Sequence, residues 1–126
     1  MSTLGAVDPL GRLDVIAFDC NDPEPLVRFW CAVLGVEVAS RDDDWVALEP
    51  SVDGGASLAF QIVPEPKQGK NRIHLDVEVR ELEAATLNAE ALGATSVGDI
   101  VVEGDGGRFQ VMRDPGGNEF CLVAGD

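Results

Sequence analysis

The chain runs twice through one pattern, and that duplication limits its fold more than any other feature. RLDVIAF (12–18) is apolar and β-branched, as strands are. NDPEPLVRFWCAVLG (21–35) carries helix punctuation: Asn21 or Asp22 as N-cap, proline and glutamate in the first turn, and Gly35 where the helix should stop. Strand-like runs follow at 36–40, 45–49 and 57–63, and PEPKQGK (64–70) is a linker by composition. The order then restarts with RIHLDVEV (72–79) and ELEAATLNAEALG (81–93), followed by ATSVGDIVVE, RFQVMR (108–113) and EFCLV (119–123). Val15 falls on His74, Asp22 on Glu81, Leu34-Gly35 on Leu92-Gly93 and FQIV (60–63) on FCLV (120–123), at offsets of 58 to 60 residues. Half a sheet with one helix is too small to bury its own apolar face, so each copy needs the other. The expectation is a single α+β domain over 1–126, built from βαβββ modules at 12–64 and 71–124.

Composition narrows the partners. Twenty-three acidic residues against nine basic ones leave a net charge of −14, which repels phosphate backbones and anionic bilayers. Neither nucleic acid nor membrane is expected as a partner. MSTLGAVDPLG has no basic start and no apolar core, so no secretory leader is expected, and a cytoplasmic location follows. Three cysteines without C-x-x-C spacing argue against a disulfide framework and against a zinc knuckle.

DPEPLVRFWCAVLG, KNRIHLDVEV at the head of the second copy and DPGGNEFCLV at its end resemble, in that order, motifs of the vicinal oxygen chelate superfamily. This is the group of glyoxalase I, bleomycin-resistance proteins and extradiol dioxygenases, and the chain is most similar to its small glyoxalase-like domain proteins over about residues 12 to 124. The resemblance implies a U-shaped mixed sheet around a cleft, with helices outside. It also implies that four side chains enter that cleft in the metal enzymes, from positions that here hold Val15, Gln61, His74 and Cys121.

Valine donates no lone pair. Gln61, His74 and Cys121 remain as a metal set of mixed softness, and a thiol must lose a proton before it can bind. A resident Zn, Fe, Ni or Mn ion is therefore disfavoured, and no other cofactor is expected.

Strand alternation places His74, Asp76 and Glu78 on one face, with Ile73, Leu75, Val77 and Val79 on the other. The same parity groups Val15 with Asp19, and Glu119 with Cys121. Asp19, Asp76, Glu78 and Glu119 would then ring the cleft. Asp76 or Glu119 could replace a missing ligand, although each sits two residues from the family position. Trp45 and Phe109 are either ring platforms in that cleft or core residues, since aromatics serve both roles. Arg72 either clamps a ligand carboxylate or answers the surrounding acid. Asp114-Pro115-Gly116-Gly117 reads as turn chemistry and nothing more.

The expected function is a module that sequesters a small organic ligand, cationic or aromatic, using Val15, Asp19, Trp45, Gln61, His74, Asp76, Phe109, Glu119 and Cys121. The alternative is a lyase-, isomerase- or dioxygenase-type enzyme with His74 as its catalytic acid or base, with or without a metal. A homodimer is expected, and the linker is long enough for modules to swap between chains.

Overall fold

A computed structural model describes residues 13–71 and 73–124. Arg72, residues 1–12 with the leader reading, and the last two residues lie outside the described residues. The order is β1 (Val15–Cys20), α1 (Pro23–Leu34), β2 (Val38–Asp42), β3 (Trp45–Leu48) and β4 (Ser57–Ile62), then β5 (Leu75–Glu78), α2 (Leu82–Ala91), β6 (Thr95–Val102), β7 (Arg108–Arg113) and β8 (Glu119–Ala124). Two βαβββ modules are present. Each makes a four-stranded sheet, ordered β1-β4-β3-β2 and β5-β8-β7-β6. Within each, the first strand lies parallel to the last and the remaining pairs are antiparallel. Among the described residues no ladder joins β1 to β5, so the mixed sheet is interrupted at the seam between modules.

Helix α1 forms where its punctuation predicts. The Asp22 carboxylate accepts from the Glu24 N–H (3.1 Å), Pro23 opens the first turn, and Gly35 adopts φ 68° to close the last. That left-handed φ costs glycine nothing and would strain other residues. Leu26, Val27, Phe29 and Trp30 bury one face. Helix α2 is weaker. Glu81 provides no side-chain cap, and only Leu82 and Ala89 are buried.

The core is continuous across the seam. Trp30 packs edge-on against Phe120 of β8 (centroids 4.9 Å apart), and Phe29 meets the same ring at 5.7 Å. Phe18 of β1 touches both Trp30 and Phe60. Such pairs add to the burial of the rings themselves. The Asp114 turn completes the junction and is more than a turn. Its carboxylate is 4% exposed and accepts from the Trp30 indole N–H (2.9 Å), Gly116 N–H (2.9 Å) and Asn118 N–H (2.8 Å). A Cβ on Gly116 would lie 3.1 Å from the Leu26 side chain, so glycine lets the turn approach α1. This acid ties the second module to the helix of the first.

On β7, Gln110 is buried, and its side-chain amide donates to the carbonyls of Gly98 (3.0 Å) and Val111 (3.0 Å). It satisfies backbone left unpaired where β6 changes register between Val97 and Val101.

Candidate functional site

The helices cover one face of each sheet, and strand parity fixes what the opposite faces carry. In the first module the parallel register sets Val15 opposite Ser57, Ala17 opposite Ala59 and Asp19 opposite Gln61. Trp45 flanks Gln61 from β3. In the second, Asp76 stands opposite Cys121 and Glu78 opposite Val123, while β7 brings Val111 against Cys121, Phe109 against Val123 and Arg113 against Glu119.

The two registers are not the same. With Phe60 matched to Phe120, Phe18 falls on Leu75 and Asp19 on Asp76. Continuing the match puts Ala17, not Val15, on His74. Val15 is four residues from the partner of Gln61, about 13 Å along the strand. The same matching sets Trp45 on Val111 rather than on Phe109. The equivalences read from the sequence are thus corrected by two residues on these strands. The helix N-caps, Asp22 and Glu81, keep their spacing because Glu81 lies five positions after Asp76, two more than the three from the matched Asp19 to Asp22.

His74, Asp76 and Cys121 come together, with one ligand atom from each within 4.8 Å of the others. His74 precedes β5 rather than lying in it. Its Nε2 is 3.6 Å from the Asp76 carboxylate, beyond hydrogen-bond length, and both side chains are more than half exposed. Burial pushes the Cys121 thiol above its ordinary pKa; the Asp76 carboxylate raises it further and Lys70 partly offsets that. The thiolate is therefore disfavoured, for metal capture and for nucleophilic attack alike.

The four-position centre implied by the family does not fit these residues. Val15 has no donor atom and stands opposite Ser57, Ala17 at the register-matched place has none either, and the cluster of His74, Asp76 and Cys121 belongs to the second module alone.

Glu119 has a structural partner set. Burial alone would raise its carboxyl, but the Asn71 backbone N–H (2.9 Å), its own backbone and Lys67 (3.6 Å) together hold it below the usual carboxylate range. The Asn71 side chain also donates to the Glu119 carbonyl (3.0 Å). These bonds fasten the end of the inter-module linker. Its beginning is fastened by the Asn21 side chain, which donates to the carbonyls of Val63 and Glu65, both at 2.9 Å. The linker is thus a strap pinned at both ends.

Beneath the strap, at the edge of β1 and the entry to β5, lies a cavity of about 520 Å³. That is within the usual range for small-molecule sites. Ile16, Phe18, Ile73 and Leu75 supply apolar wall, with Asp19, Lys67 and Lys70 among the polar groups. Of the residues proposed from sequence, Asp19 alone lines this cavity. Val15, Trp45, Gln61, His74, Asp76, Phe109, Glu119 and Cys121 do not. The charged tail of PEPKQGK was the available signal, because a linker joining two such modules must cross the seam.

Known proteins share this architecture. A structure described as a glyoxalase/bleomycin resistance protein/dioxygenase family enzyme from Burkholderia phytofirmans PsJN superimposes with a TM-score of 0.77 at 18% identity, covering 90% of this chain and 98% of that one. A glyoxalase-related enzyme from Fulvimarina pelagi gives 0.73 at 18% identity (91% and 88% covered). A glyoxalase/bleomycin resistance protein/dioxygenase from Nocardioides gives 0.72 at 18% (96% and 86%). At such identities the likeness speaks for the fold. No curated protein matches the chain. No helix among the described residues is long and apolar enough to cross a membrane. Residues 15–123 match the family model of the glyoxalase-like domain, and the chain belongs to that family, within the vicinal oxygen chelate superfamily.

Proposed function

We propose that this protein binds a small organic molecule between its two modules and does so without a resident metal ion. The observation that carries the reading is the donor set: Ala17, which the strand register matches to His74, supplies no side-chain ligand, and neither does Val15. Exposed acid at Asp19, Asp76 and Glu78 favours a cationic guest, and half-buried Trp45 and Phe109 offer rings to an aromatic one. On this reading the protein acts in the cytoplasm as a homodimer, the commonest closed symmetric assembly.

A second reading has one observation in its favour. His74 beside Asp76 resembles a base with an orienting carboxylate, which suits a lyase-, isomerase- or dioxygenase-type enzyme.

Thermal shift over cationic antibiotics, aromatic amines and α-ketoaldehydes, with and without EDTA, separates the two. Ligand-dependent stabilisation indifferent to EDTA supports binding without metal. Turnover of any such compound that disappears in His74→Ala, with the fold intact, supports the enzyme instead.

A further inference from the structure

We infer that the cavity under the strap is the binding compartment, and that its ligand is a small zwitterion with an apolar body, its cationic end toward Asp19 and its anionic end toward Lys70. The inference rests on the binding reading above and adds both the place and the ligand class.

Three observations converge. The compartment is built rather than incidental, because the strap is held by Asn21 at its start and by Asn71 and Lys67 on Glu119 at its end. A roof fixed before the ligand arrives loses little entropy on binding. Next, Ile73 is 74% exposed and borders the cavity beside Leu75, Ile16 and Phe18. A guest with an apolar body would take that side chain out of water.

The charges then select the class. Lys67 is committed to Glu119, whereas Asp19, Lys70 and Glu65 on the strap have no ion-pair partner among the described residues. The lining therefore presents unanswered carboxylates on β1 (Asp19) and on the strap (Glu65) together with an unanswered ammonium at the strap's end (Lys70). A plain cation would leave Lys70 unmatched. A plain anion would leave Asp19 unmatched and would approach a chain of net charge −14. A zwitterion answers both groups and carries no net charge through that field.

Isothermal titration of the full chain with three indoles that differ only in charge tests this: L-tryptophan (zwitterion), tryptamine (cation) and indole-3-propionate (anion). L-Tryptophan should bind at least about tenfold tighter than either, the size expected for one further charged contact. Lys70→Met should bring L-tryptophan down to the level of tryptamine, and Asp19→Asn to that of indole-3-propionate. Asp53→Asn, a loss of charge in the loop between β3 and β4, should change none of the three. Circular dichroism melts confirm that each variant is folded. Equal affinity for the three indoles, or wild-type binding by folded Lys70→Met and Asp19→Asn, overturns the assignment. Failure of all three indoles while another compound of the thermal-shift panel binds also overturns it, and leaves the binding reading standing. Failure of every compound removes both.

Discussion

The first module holds the molecule together, and the second presents its reactive side chains. Helix α1 is capped at both ends and buries four large side chains or valines in a core shared with β8, whereas α2 has no side-chain cap and buries two residues. Conversely, His74, Asp76 and Cys121 meet on the second module, while the register-matched places on the first hold Ala17, Asp19 and Gln61. Duplication supplied two copies of one frame. Among the described residues, only the second copy brings a thiol, an imidazole and a carboxylate within reach of each other.

The two Asp-Pro turns put a number on that division. Asp114 is buried and accepts from two backbone donors of its own turn and from the Trp30 indole across the module boundary, whereas Asp22 is exposed and serves one donor. Asp114→Ala strands the Trp30 indole N–H in the core and should cost about 3 kcal/mol in urea denaturation followed by circular dichroism. Asp22→Ala should cost about 1 kcal/mol in the same experiment, the usual loss of an N-cap. Equal costs would remove the distinction between a junction and a cap.

Glu119 sharpens the comparison at smaller scale. Its counterpart in the first module is Ala59, fully buried and without charge, so only the second module anchors the strap by an acid. Glu119→Gln should lower stability by about 1 kcal/mol at neutral pH. Because the folded carboxyl is held below its unfolded value, its contribution is present above the unfolded range near pH ~4.3 and is lost as the pH falls through the folded value. The difference between wild type and variant should shrink to nothing in that acid window. A difference that persists there would assign the effect to packing.

How much of this was legible in the sequence depends on which physical signal was local. The helix of the first module was legible because Asp22, Pro23 and Gly35 act on their own backbone. The duplicated order was legible from periodicity alone, and so was the face shared by Asp76 and Glu78. The register shift between modules was not, since it depends on how first and last strands pair across about 40 residues. Asp114 looked like a turn residue because nothing near it in sequence reveals that Trp30, 84 residues earlier, points its indole there. The strap cavity was hidden for the same reason: its walls come from β1, the linker and β5, and no periodic pattern connects them.

Everything proposed for this protein's chemistry depends on the modules enclosing an organic guest rather than a chelated ion. Elemental analysis of the protein as purified, without added metal or chelator, measures that choice directly. The account predicts Zn, Fe, Ni and Mn each well below one per chain; one tightly held ion per chain, lost together with His74 in His74→Ala, would contradict it.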